Sequence, residues 1–377
     1  MDTSASSSLS SHVSTQAHAL MTAAGYDNAH AVDELLADLL TADETTTPWP
    51  SQISDDHTPV EFSLALDHGQ RPTVRILAEA LAARPSLAAN LHAAQHLLER
   101  WASRYSLAMG QYQQVADLFA GAPPDSQFAV WFSVVLRRRN VPRIKVYLNP
   151  QCRGTRHSVA LVVTAMRRLG LGGAYPALQA AAIQPGGRYS FLALDLHHGP
   201  RSRIKVYASH AATATDADAA RAAAVVPGVD TDEVTTFCRL AAGDTLGSAT
   251  SRPLVSSYTF VDGDSCHPSG YSLYVPIRSH VTDDRQARDR AIALARRYGH
   301  DAGLVDEAIT AIARRDLAAG VGLIPHIAVR LGDRAPGLTV YLSSEAYRVS
   351  PPRPRTAFPP MSGPTRPERS GSSPEPR

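Results

Sequence analysis

The pentapeptide Arg143-Ile144-Lys145-Val146-Tyr147 returns intact as Arg203-Ile204-Lys205-Val206-Tyr207, and no other feature constrains the fold as tightly. Successive side chains of a β-strand point to opposite faces, so Arg203, Lys205 and Tyr207 share one face while Ile204 and Val206 share the other. Such a strand packs its branched apolar face against other elements and turns a cationic, phenolic face away from them. That second face meets either bulk water or the lumen of a closed barrel holding an anion.

Extended runs come in pairs. Five hairpins can be read: 59–66 with 73–77, 129–136 with 143–148, 189–196 with 203–208, 255–261 with 271–276, and 326–331 with 338–342. The turns between them carry Gly, Pro, Asp or Asn, the residues that reverse a chain cheaply. Aligned on Arg75, Lys145, Lys205, Ser272 and Thr339, the second strands recur every 60 to 70 residues, the period of a supersecondary repeat. Stretches with apolar residues at helical spacing, such as 31–40 and 86–104, fall between the hairpins. The pattern predicts an α+β fold in which ten antiparallel strands from five α-β-β-α repeats close into a barrel with helices outside. A parallel (β/α) barrel is the competing architecture, but it needs single strands between helices, whereas short loops join strands directly here. One barrel domain over residues 13–349 is expected. A disordered Ser-rich segment (1–12) and a disordered Pro/Ser/Arg-rich tail (350–377) should flank it.

Composition narrows the function classes. Hydrophobic residues are 44% and charged residues 19% of the 377, which suffices for a large core. A formal net charge of +2 argues against nucleic acid or a membrane surface as partner, so any cationic site must be local. No apolar run reaches about eighteen residues, and no basic segment leads into an apolar one near Met1. Cys152, Cys238 and Cys266 are odd in number and widely spaced, as free thiols in a reducing compartment would be. A soluble cytoplasmic protein, monomer or homodimer, is expected.

The repeated strands carry the chemistry. Arg75, Lys145, Arg203 and Lys205 fall at matched positions, and four cations in a lumen repel one another unless an anion neutralises them. A diphosphate fits, because Arg forks and Lys point charges bind phosphoryl oxygens. Tyr147, Tyr207, Tyr274 and Tyr341 each lie two residues beyond the aligned position. Aromatic faces stabilise a carbocation and exclude water, so a phenolic collar beside a cationic clamp suits ionisation of an allylic diphosphate. Glu61 interrupts the apolar first strand and shares a face with Ser63 and Ala65; in a lumen it can accept a hydrogen bond from an indole N–H. Each residue also has a plainer reading: solvent-facing basic strands, packed tyrosines, an exposed carboxylate. The recurrence in one register weighs against these. No Asp-rich magnesium motif, zinc spacing or phosphate-binding glycine loop occurs, so neither a metal nor any other cofactor is expected.

These residues resemble the dimethylallyltryptophan-synthase-type aromatic prenyltransferases, the indole-modifying branch of the ABBA barrel fold. The resemblance spans Glu61 to Tyr341 and rests on Pro59-x-Glu61-Phe62-Ser63, Val74-Arg75-Ile76, Lys145-x-Tyr147, Ser202 to Tyr207, Tyr274-Val275-Pro276 and Thr339 to Leu342. It implies that Glu61 binds the indole N–H, that Arg75, Lys145, Arg203 and Lys205 bind the diphosphate, and that the four tyrosines shield the dimethylallyl cation. Dimethylallyl diphosphate and L-tryptophan are the implied partners, and C6 of the indole the favoured position, as in many bacterial members. Another ring position, a cyclic dipeptide or tyrosine as acceptor, and a non-catalytic barrel binding an isoprenoid or another anionic ligand are the alternatives. The chain departs from the fungal pattern at Ser272, Asn149 and Gly337, where smaller residues imply a looser wall. At Ser190 the usual contact to the amino-acid carboxylate is lost, with Arg188 the nearest substitute. The family's proposed deprotonating Lys falls near Arg137, and Arg is a poor base.

Overall fold

The computed structural model describes residues 8–354 apart from 27–29, 42–47, 122, 124–125, 137–141, 183–185, 200–201, 248–251, 262, 265 and 333. Two helices precede each hairpin. The order runs α1 (Leu9–Ala23), α2 (His30–Leu39), β1 (Val60–Leu66), β2 (Thr73–Glu79), α3 (Leu87–Tyr105), α4 (Gly110–Val115), β3 (Val130–Leu136) and β4 (Arg143–Leu148). It continues with α5 (Ser158–Arg168), α6 (Tyr175–Ala182), β5 (Arg188–Asp195), β6 (Ile204–Ser209), α7 (Asp216–Ala223), α8 (Thr231–Ala242), β7 (Val255–Phe260) and β8 (Gly270–Val275). The last unit is α9 (Asp284–Arg297), α10 (Ala302–Ile312), β9 (Ile327–Leu331) and β10 (Gly337–Ser343). This is the expected repeat, read in the phase α-α-β-β.

The ten strands close into one antiparallel barrel, β1 pairing with both β2 and β10. The core lies between barrel and helices. Phe62, Leu64, Val146, Ile204 and Val206 all point outward into it and are buried, each contributing about 1.5–3 kcal/mol. Helix α3 shows how the sheath attaches: Leu91, Ala94, Leu97, Leu98 and Trp101 form its buried stripe, and Trp101 meets Phe132 edge-on at 5.4 Å. Near the lower end of the barrel, the buried Asp284 carboxylate accepts the backbone N–H groups of Gly322, Leu323 and Ile324 at 3.0–3.1 Å. It thereby fixes the approach to β9.

The N-terminal expectation needs correction. Helix α1 starts at Leu9, capped by the Ser8 hydroxyl, because Val13, Gln16, Ala17 and Leu20 have a core to pack against; disorder does not extend to residue 12. Of the expected tail, 350–354 pack along the barrel, with the Arg353 guanidinium donating to Ser279 O at 2.7 Å. Residues 355–377 lie outside the described part. Among the described residues no helix is long and apolar enough to cross a membrane.

Candidate active site

The barrel lumen holds a cavity lined by Glu61, Arg75, Lys145, Arg203, Lys205, Tyr147, Tyr207, Tyr274 and Tyr341 together. Strand register explains this convergence. In every hairpin the aligned residue of the second strand faces a small residue of the first: Ser63 opposite Arg75, Ser133 opposite Lys145, Ala193 opposite Lys205, Ser257 opposite Ser272, and Ala328 opposite Thr339. Large inward side chains thus alternate with small ones around the ring, which keeps the lumen open.

The site is layered along the barrel axis. The cations form the layer nearer the hairpin turns. Below them the tyrosines touch in sequence: Tyr147–Tyr207 at 5.8 Å, Tyr207–Tyr274 at 5.9 Å and Tyr274–Tyr341 at 5.7 Å between ring centroids. Leu77 fills the fifth position of this collar. Two residues before the small positions of the first strands stand Glu61, Trp131, Phe191, Val255 and His326. Phe191 meets Tyr147 and Tyr207 edge-on, and lies 5.4 Å from Trp131. A carboxylate thus sits in a layer rich in aromatic walls, next to the collar.

Electrostatics divides the clamp in two. The buried Asp195 carboxylate takes Lys145 Nζ at 3.0 Å on one oxygen and Arg203 Nε at 2.7 Å on the other, with His197 at 3.7 Å. Burial alone would raise Asp195, but Lys145, His197 and Arg203 outweigh it and hold it far below the usual carboxylate range. Lys145 is pushed down to about 8, by burial against the pull of Asp195. Lys205 meets Ser257 Oγ at 3.4 Å and the Tyr207 ring at 6.0 Å, with no acidic partner among the described residues, and burial together with Lys145, Arg203 and Arg75 drives it well below the ordinary lysine value. The clamp cations therefore disfavour one another's charged form, and an anion among them would favour it. Burial raises Glu61 to about 8, only partly offset by Arg252, and lowers His326 to about 3, so the imidazole is neutral. The phenols of Tyr147, Tyr207 and Tyr341 are raised by burial and stay protonated.

Sequence reading missed Asp195, Arg330, Trp131 and Phe191. Alternation from Arg203 across the turn would have placed Asp195 opposite Lys145. Arg330 lines the cavity and pairs with Asp67 at 2.5 Å. Two implied loosenings do not materialise. The Asn149 amide is buried and donates to Phe128 O at 2.7 Å and Ser126 Oγ at 2.8 Å, serving a turn and not the cavity wall. A Cβ on Gly337 would come within 2.6 Å of Asp67 and 2.7 Å of Arg330, so that pair occupies the space a larger residue would fill. Ser272 does line the cavity. Ser190 hydrogen-bonds Ser209. Arg188 opens β5 opposite Ser209 and is not among the residues lining the cavity. Arg137 lies outside the described residues. Among the described residues no three His, Cys, Asp or Glu side chains are placed to hold a metal ion.

A closed antiparallel barrel sheathed in helices, with an inward cationic clamp on a tyrosine collar, is the architecture of the barrel-type aromatic prenyltransferases. NotF prenyltransferase is similar in fold alone, at 17% identity over 89% of this chain and 92% of its own, with a TM-score of 0.70. The particular family follows from closer matches. The sequence profile of tryptophan dimethylallyltransferase matches residues 9–225. The 6-dimethylallyltryptophan synthase from Micromonospora olivasterospora, solved in complex with DMASPP and Trp, is 47% identical over 92% of this chain and 100% of its own, with a TM-score of 0.86. The 5-dimethylallyltryptophan synthase from Streptomyces coelicolor is 36% identical over 91% of this chain and 99% of its own, with a TM-score of 0.83. The chain belongs to the tryptophan dimethylallyltransferase family.

Proposed function

We propose that the protein transfers the dimethylallyl group of dimethylallyl diphosphate to a carbon of the indole ring of L-tryptophan, at C6. The observation that carries this reading is the convergence in one lumen of cations, phenols and the Glu61 carboxylate, with Phe191 packed against the phenolic collar. In the proposed reaction Arg75, Lys145, Arg203, Lys205 and Arg330 hold the diphosphate, whose oxygen takes the electron pair as the allylic C–O bond breaks. The tyrosine rings face the resulting cation and keep water from it. Glu61, once ionised, accepts the indole N–H and enriches the ring, whose carbon attacks the cation; loss of the ring proton to a base restores aromaticity.

The choice of C6 leans on the relatives named for that position, two of which are 47–48% identical, against 36% for the C5 enzyme above. The side chains in the clamp supply the positive charge a leaving diphosphate needs, so turnover should not require a metal. The buried free thiols of Cys152 and Cys238 fit a reducing, cytoplasmic setting. Incubation with both substrates in EDTA, followed by mass spectrometry and NMR, tests the proposal. A product heavier by one C5H8 unit and substituted at C6 is expected. Failure to prenylate any indole would overturn it.

A further inference from the structure

The clamp is not the outermost cationic feature. Above it, among the hairpin turns, a vestibule of about 1920 Å³ opens to solvent, lined by Arg143, His197, His198, Arg203, Arg330 and Arg334 with Asp67. Arg203 and Arg330 line both spaces, so the vestibule is continuous with the catalytic cavity. Its charge is one-sided. Asp67, the sole acidic residue of the lining among the described residues, is engaged by Arg330, and Arg203 is engaged by Asp195. Arg143 and Arg334 are exposed and make no ion pair among the described residues. With a net charge of only +2 on the whole chain, this concentration is local. Unpaired arginines at the rim of a low-dielectric channel focus an attractive field on anions and raise their encounter rate. It also gives Arg143 a task. The leading residue of the first pentapeptide copy lines the vestibule while Lys145 and Tyr147 line the cavity.

We propose that this vestibule is an outer anion site: Arg143 and Arg334 capture the diphosphate group on its way to the inner clamp and receive inorganic diphosphate as it leaves. This rests on the function proposed above only in naming the anion. Stopped-flow fluorescence with inorganic diphosphate and no acceptor tests it directly, comparing the intact protein with the double variant Arg143→Ala/Arg334→Ala. At low ionic strength the variant should associate about five- to tenfold more slowly, within the usual range of electrostatic steering. Above roughly 0.5 M salt, where screening lengths shrink to a few ångströms, the two rates should converge, and inner-site affinity there should match. Equal rates and equal salt dependence at low ionic strength would sink the outer site and leave the inner clamp untouched. Absence of diphosphate binding to the intact protein would overturn the donor assignment and this inference together.

Discussion

Asp195→Asn isolates what the single buried acid does for the clamp. Asn keeps the size and removes the charge that faces Lys145 at 3.0 Å and Arg203 at 2.7 Å. At 3 Å and an effective dielectric constant near 20, one such attraction is roughly 5 kcal/mol before desolvation is subtracted, an upper bound. Arg203 is 36% exposed, so its share is screened and Lys145, 8% exposed, dominates. Breaking a buried pair typically costs about 3–5 kcal/mol. Part of that cost is avoided if Lys145 gives up its proton, and Lys145 already stands at about 8 with Asp195 present. In the variant it should titrate at least about one unit lower, and each unit is worth about 1.4 kcal/mol, or tenfold in an equilibrium. Diphosphate binding requires the charged ammonium, so around pH 8 the variant should bind diphosphate roughly fivefold or more weakly, with the deficit shrinking as pH falls towards 6. Calorimetric titration of inorganic diphosphate from pH 6 to 9 measures both curves. Parallel curves, offset by a constant factor, would refute the reasoning, since a merely structural role for Asp195 would weaken binding equally at every pH.

Other perturbations address the remaining layers. Glu61 needs its charge to accept an indole N–H strongly, and burial holds its carboxyl at about 8, so kcat/KM for the acceptor should rise with pH through that value. Glu61→Gln should flatten this acid limb and lower turnover at least about a hundredfold while leaving diphosphate affinity within a factor of two. The same shift has a stability sign. The folded state binds the Glu61 proton between pH 4.5 and about 8 where the unfolded chain does not, so thermal stability should decline as pH rises through that window and recover partly in Glu61→Gln. Lys205→Ala removes a buried cation with no acid partner, and should weaken diphosphate binding by roughly 2–4 kcal/mol in a direct titration; unchanged affinity would remove Lys205 from the clamp. Gly337→Ala would press on Asp67 and Arg330, whose side-chain ends can yield, so the barrel should persist while KM for the prenyl donor rises and kcat holds; steady-state kinetics decides it.

How much of this was legible beforehand depends on what periodicity encodes. Alternation assigns a face, and the repeated pentapeptide assigns a register, so the strands, the closed barrel and the inward set from Arg75 to Tyr341 followed from the chain alone. Depth along the axis was not encoded in any one strand. It emerged only when Glu61 proved to share a layer with Trp131, Phe191 and His326, residues that look like ordinary apolar strand content in isolation. Asp195 escaped notice for a related reason: one acid at the end of an apolar run reads as a turn residue until its cross-strand partner, Lys145, is known.

The substitutions relative to the family's fungal pattern show where residue size misleads. Reading Gly337 as a smaller residue in the wall predicts a wider pocket, because it treats the wall as a row of independent side chains. In a barrel the inward positions of adjacent strands compete for one space, and Asp67 and Arg330, from β1's outgoing turn and β9, close over the glycine. The wall at this point is an ion pair whose arginine also lines the cavity and the vestibule. A smaller residue at Gly337 thus alters the charge at the diphosphate end of the lumen more than its volume, and the consequence belongs to prenyl donor binding before acceptor choice.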